Sequence, residues 1–125
     1  MTTPRLSVII PVWTCWHLTE ACLRALRASA PGDFLEVIVA DNGSTDDTAR
    51  ELEPLGKALF GKRFIRARTE TNEGFAAACN AGAALARADL LFFLNNDARP
   101  QEGWLKPLMR APLLTPKLGA WGPVL

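Results

Sequence analysis

Short apolar runs alternate along the chain with longer stretches in which apolar residues recur every three or four positions. Leu6-Ser7-Val8-Ile9-Ile10 is a β-branched run closed by Pro11, the pattern of a strand buried on both faces and stopped by a residue without a backbone N–H. Leu18, Cys22, Leu26 and Ser29 then share one helical face while Glu20, Arg24 and Arg27 fall elsewhere, and Pro31-Gly32 ends that helix. A second strand, Leu35 to Ala40, runs into Asp41-Asn42-Gly43 and Ser44-Thr45-Asp46-Asp47, where Ser44 and Asp47 have capping-box spacing. Thr48, Leu52, Leu55 and Leu59 line the helix that follows, with Pro54 expected to kink it or end it early. Phe64 to Arg68 reads as a third strand. Asn72 is expected to cap a third helix from Gly74 to Arg87, whose alanines and Gly82 allow close packing on a sheet. Leu90 to Leu94 is a fourth strand, Glu102 to Arg110 a short fourth helix, and the tail from Leu118 to Leu125 the start of another strand. Strands alternating with helices predict an α/β fold with a mostly parallel, doubly wound sheet.

The length of 125 residues suits one domain, residues 1–125. Fourteen Lys and Arg against thirteen Asp and Glu give a formal net charge of +1 without a basic block, which argues against nucleic acid as a partner. Cys15, Cys22 and Cys79 form no CxxC pair, and His17 has no second histidine with which to share a metal; buried free thiols in a reducing compartment are expected. The N-terminus MTTPRLSV has no charged-then-apolar signal pattern, and no apolar run is long enough to span a bilayer. The expected location is therefore the cytoplasm, which is compatible with peripheral membrane attachment of a longer protein.

Three polar clusters follow strands: Pro11-Val12-Trp13, Asp41-Asn42-Gly43 and Asn95-Asn96-Asp97. In an open α/β sheet such segments converge at the carboxyl edge, where ligands bind. Each cluster has a plainer interpretation. Asp41 to Ser44 has the composition of a tight turn and helix cap, and Asn95 to Asp97 that of a turn before Pro100. As a binding site, Asp41 offers a carboxylate to the imide proton of a pyrimidine, with Gly43 leaving room for a flat ring. A helix starting near Asn72 and Gly74 presents backbone N–H groups to an anion. Asn80, a poor helix former among alanines, is either a polar lock to a neighbouring loop or a ligand contact. Asp97 suits a hard divalent cation that takes its other ligands from water and a diphosphate.

VIIPVW at Val8 to Trp13, EVIVADNGSTDDT at Glu36 to Thr48, NEGFAAACNAG at Asn72 to Gly82 and LLFFLNNDA at Leu90 to Ala98 resemble, in order and spacing, the inverting family 2 glycosyltransferases. The resemblance implies a GT-A fold and the nucleotide-sugar-binding half of such an enzyme. Pro11, Val12 and Trp13 would lie beside the nucleoside and Asp41 would hold the base. Asn72, Gly74 and Asn80 would shape the pocket near the diphosphate, while Asn95 to Asp97 would stand at the family's DXD position with Mg²⁺ or Mn²⁺. The implied donor is a UDP-, dTDP- or GDP-linked sugar, and the acceptor a glycan or lipid-linked hydroxyl in polysaccharide biosynthesis. NND-like motifs occur in rhamnosyltransferase-like branches, which suggests a deoxyhexose. Departures from the pattern are Asn95 in place of the first DXD acid, Trp13 to His17 in place of an aromatic-Asn-basic stretch, and Cys79 where arginine is common. No catalytic base is found after Asp97. Glu102 suits a helix-start role, so the base and acceptor half are expected beyond Leu125, leaving this piece inactive alone. A non-catalytic nucleotide-sugar-binding module is the main alternative. A dinucleotide-binding enzyme is disfavoured because PVWTCW, not GxGxxG, follows strand one, and no GxxxxGK[ST] loop occurs.

Overall fold

The computed structural model describes residues 3–30, 32–114, 117 and 119–122. Strands β1 (Leu6–Val12), β2 (Leu35–Asp41), β3 (Phe64–Arg68) and β4 (Leu91–Phe93) form one parallel sheet in the order β3-β2-β1-β4. Between them run α1 (Trp16–Ser29), α2 (Thr48–Phe60) and α3 (Phe75–Ala84), and α4 (Leu105–Leu114) follows β4. The period of two along the central strands divides the core. Val8, Ile10 and Val12 of β1 join Val37 and Val39 of β2 in a cluster with Cys22, Leu23 and Leu26 of α1 and Leu52 of α2. Ile9 and Ile38 face the other way, towards α3, where a Cβ on Gly82 would lie 2.6 Å from Ile9 Cγ2. The expected close packing at Gly82 is therefore present, and burial of β1 and β2 on both faces accounts for their unbroken apolar runs.

Several boundaries differ from the sequence expectation, each for a physical reason. Pro11 lies inside β1 instead of ending it. Ser7 N–H donates to Leu90 O and Leu94 N–H donates to Ile9 O, so the odd residues of β1 turn their backbone groups towards β4. That strand's pairing stops at Ile9, and Pro11 loses no ladder bond. Pro54 neither ends nor shortens α2, because it occupies the exposed side while Leu52 and Gly56 are buried on the other. Neither predicted cap forms: α2 and α3 begin after Asp47 and Gly74, and neither residue makes a side-chain cap bond. The third helix stops at Ala84, short of Arg87. The fourth begins at Leu105, leaving Glu102 exposed in the preceding turn. β4 is an edge strand with Leu91 and Phe93 exposed, so its apolar character does not mark burial. Only Cys22 of the three cysteines is buried, and Cys15 is exposed. The expected tail strand falls partly on residues outside those described, and residues 119–122 form no strand. Pro31, expected to end α1, also lies outside them.

At the amino edge of the sheet the paired residues Ser7 and Glu36 form a buried polar knot. Ser7 Oγ donates to Glu36 Oε2 at 2.5 Å, Arg87 N–H to the same oxygen at 2.6 Å, and Arg87 Nε to Oε1 at 3.0 Å. Ala88 N–H donates to Ser7 Oγ at 3.1 Å, tying the segment after α3 to the two central strands. Burial pushes the Glu36 carboxyl up, but the hydrogen bonds from Arg87 and Ser7 outweigh it and hold the group below its usual range.

Candidate functional site

At the opposite, carboxyl edge, Asp41 ends β2 with its side chain fully enclosed. Its Oδ1 accepts the Ser44 N–H at 3.0 Å, while Oδ2 accepts Arg66 Nη2 at 3.0 Å and Arg68 Nη1 at 2.8 Å. The two arginines are alternate residues of β3 placed beside Val39 and Asp41, so both lie on the face that carries the Asp41 side chain. Burial raises the Asp41 carboxyl; the bonds from Ser44 and Arg66 and the Arg68 charge prevail and hold it low. In this structure the Asp41 carboxylate accepts three of the protein's own donors, and Asp41 also lines a small recess with Arg68 and Asn42.

Asn42, one residue on, points the other way. Its Nδ2 donates to Asn72 Oδ1 at 2.8 Å and to Gly74 O at 3.0 Å, and its Oδ1 accepts the Glu73 N–H at 3.0 Å and lies 3.2 Å from the Thr69 hydroxyl. This amide latches the end of β2 to the loop before α3. Gly43 serves the same closure, because at φ +83° a Cβ there would lie 2.9 Å from the Thr71 backbone. This loop therefore lies directly against Gly43.

The segment after β1 is strained. Thr14 and Cys15 both have left-handed φ values, 57° and 58°. Thr14 N–H donates to Ser44 Oγ at 2.8 Å and Trp16 N–H to Asp46 Oδ2 at 3.0 Å, so the turn after β2 holds the turn after β1. Trp13, just before the strained pair, is 56% exposed.

Pro11, Val12, Trp13, Asn42, Asn72, Phe75, Ala78 and Asn95 surround a cleft of about 220 Å³. A recess of about 60 Å³ shares Asn42 and Ala78 with it and extends to Ala40, Ala67 and Thr69. The chain thus brings together Pro11, Val12, Trp13, Asn72 and Asn95 from three separate segments. Gly74 joins them through its carbonyl bond from Asn42 and an N–H donated to Asn72 Oδ1 at 2.9 Å. Asn80 is exposed on α3 and lines neither space. Asn96 turns its Nδ2 back to Thr19 Oγ1 of α1 at 3.2 Å, which fixes the turn and takes its side chain away from the cleft. Asp97 is exposed on that turn. Beneath it, burial and then the Asp97 charge push the Cys22 thiol up to about 12, so Cys22 stays protonated as packing.

Among the described residues no group of three or more His, Cys, Asp or Glu gathers as a metal cage. One exposed carboxylate with amide neighbours fits a hard cation that draws its remaining ligands from water and phosphate oxygens, not a closed protein site. Arg66, Arg68, Asn42 and Phe75 were missed in the sequence. Alternation in Phe64 to Arg68 placed the two arginines on one face, whereas Phe75, 55% exposed, reads as core by its helical spacing. A larger cavity, about 710 Å³, lies elsewhere among Phe92, Trp104, Leu108 and Trp121 and is lined chiefly by apolar groups. No helix among the described residues is long and apolar enough to cross a membrane.

Residues 7–123 match the model of Glycosyl transferase family 2. A Mycobacterium bovis (strain BCG / Pasteur 1173P2) protein described as a PGL/p-HBAD biosynthesis glycosyltransferase is 35% identical over 97 residues, 78% of this chain and 37% of that protein. Glycosyltransferase AglE of Haloferax volcanii is 34% identical over 106 residues, 84% of this chain and 34% of its own length. The chain thus spans about a third of the length of these curated relatives. Among solved structures, the Pyrobaculum calidifontis mannosyltransferase PcManGT in complex with GDP-Man and Mn²⁺ superposes with a TM-score of 0.70 at 26% identity, covering 78% of this chain and 29% of that one. S. aureus TarS 1-349 in complex with UDP gives 0.76 at 24% identity over 88% of this chain and 32% of that one, a likeness of fold.

Proposed function

The chain belongs to glycosyltransferase family 2 and has its GT-A fold, and we propose that the cleft at the carboxyl edge of its sheet binds the nucleoside diphosphate of a sugar donor. The observation that carries this reading is the convergence of Pro11, Val12, Trp13, Asn72 and Asn95 on one cleft, with an exposed carboxylate, Asp97, on the adjoining turn. Trp13 offers a flat face to the nucleoside. Asn72 and Asn95 offer amides to ribose and phosphate oxygens, and the start of α3 after Gly74 offers backbone N–H groups to the diphosphate. Asp97 would hold Mg²⁺ or Mn²⁺ together with the diphosphate, and when bound the ion neutralises charge on the departing group. That PcManGT was solved with GDP-Man and Mn²⁺ supports both a nucleotide sugar and a divalent cation here.

The reaction proposed for the whole protein is inverting transfer of the sugar to an acceptor hydroxyl, with the acceptor and the base that takes its proton supplied outside the described residues. Calorimetric titration with UDP, dTDP and GDP, with and without Mn²⁺, tests the site. At least one should bind, Mn²⁺ should tighten it by about tenfold, and Asp97→Ala should remove that gain while leaving metal-free binding in place. Binding that Mn²⁺ does not affect would favour a non-catalytic binding module, and no binding at all would refute the donor site.

A further inference from the structure

Among the described residues, positive φ at non-glycine positions occurs in the segment that follows Trp13. Two successive non-glycine residues, Thr14 and Cys15, occupy the left-handed region, which L side chains adopt only when their surroundings enforce it. The enforcing groups are visible. Ser44 is fully buried and its hydroxyl oxygen accepts the Thr14 N–H at 2.8 Å; Asp46 Oδ2 accepts the Trp16 N–H at 3.0 Å. Ser44 is itself fixed from below, because its own N–H donates to Asp41 Oδ1 at 3.0 Å and its carbonyl lies 3.3 Å from Arg68 Nη2. A chain of bonds therefore runs from β3 through Asp41 and Ser44 to the backbone on the far side of Trp13.

We propose that Ser44 and Asp46 are positioning residues that aim Trp13: by clamping the N–H groups of Thr14 and Trp16 they hold the strained turn in which the Trp13 ring stands at the cleft. The proposal rests on the reading of that cleft as the nucleoside site. It also gives enclosed Asp41 a function suited to its geometry, since a carboxylate bonded to Ser44 and two arginines anchors the residue that clamps the turn. Released from Ser44, Thr14 has no reason to keep φ at 57°, and relaxation there rotates the peptide that follows Trp13.

The test is a double-mutant cycle read by calorimetry with whichever of UDP, dTDP and GDP binds the protein most tightly. Ser44→Ala and Asp46→Ala are each made alone and combined with Trp13→Ala. If they act through Trp13, each weakens binding by about tenfold in the wild-type background and by less than about twofold once Trp13 is gone. The fluorine resonance of 5-fluorotryptophan at position 13, identified by its absence in Trp13→Phe, should shift or broaden in both variants. An equal loss in both backgrounds, or an unmoved Trp13 resonance, overturns the proposal. Asp46 is exposed, so Asp46→Ala carries the test if Ser44→Ala does not fold. Failure of the unaltered protein to bind any of the three nucleotides would instead refute the donor site itself, a result distinguishable from binding that Ser44 and Asp46 do not influence.

Discussion

Replacing Glu36 with alanine is expected to destabilise the protein by roughly 3 kcal/mol, because the change strips a buried knot of its carboxylate acceptor. Ser7 Oγ and the Arg87 N–H lose their partner in a region closed to water, while the Arg87 guanidinium, 40% exposed, can rehydrate and limits the loss. The knot also carries a pH signature. The Glu36 carboxyl is held below its ordinary value of 4.5, so its contribution is complete above that value and is lost as pH falls through the lower value of the folded state. Asp41, held below 3.8, acts in the same sense. Urea melts should therefore show stability falling as the solution is acidified below about pH 4.5, and a shallower fall in Glu36→Ala. Equal pH dependence in both proteins would show that the knot contributes nothing to it. Since the knot sits at the amino edge, nucleotide binding in the folded variant should be unchanged.

A second large effect is expected from Asn42→Asp, a change of nearly equal shape. Nδ2 now donates to Asn72 Oδ1 and Gly74 O; an aspartate oxygen in its place would face two acceptors and bring a second carboxylate next to Asp41. The expected cost is roughly 3 kcal/mol of stability. Nucleotide affinity should fall at least about tenfold, because the loop bearing Asn72 and Gly74 is released from β2. Denaturant melts and calorimetry on the same preparation separate the two losses. An Asn42→Asp protein that keeps wild-type affinity would show that the latch does not shape the cleft.

The parts of this molecule legible in the sequence are those set by local period. β1 and β2 declare themselves by unbroken apolar runs because both faces are covered, and Gly82 marks where α3 meets the sheet. Family motifs drew attention to the carboxyl edge, where the cleft lies. What the sequence could not resolve depends on parity and register between distant strands. Asp41 and Asn42 are adjacent and chemically alike, yet one is enclosed by Arg66 and Arg68 and the other turns to the loop before α3, a difference decided by how β3 lies against β2. Pro11 looked like a strand end because nothing local shows that β4 stops at the level of Ile9. Phe75 sits at helical spacing with core residues but lies in the first turn of α3, where its ring meets the cleft.

The central claim is that the cleft between Trp13 and Asn95 holds a nucleoside diphosphate with a metal at Asp97. Amide chemical-shift mapping tests it most directly. Adding UDP or GDP with Mg²⁺ should shift Trp13, Asn72, Gly74, Phe75 and Asn95, and a trace of Mn²⁺ should then broaden Asn96 and Asp97 only while nucleotide is present. Shifts gathered instead at the basic recess of Arg27, Lys62 and Arg63, or at Trp104 and Trp121, would contradict the account.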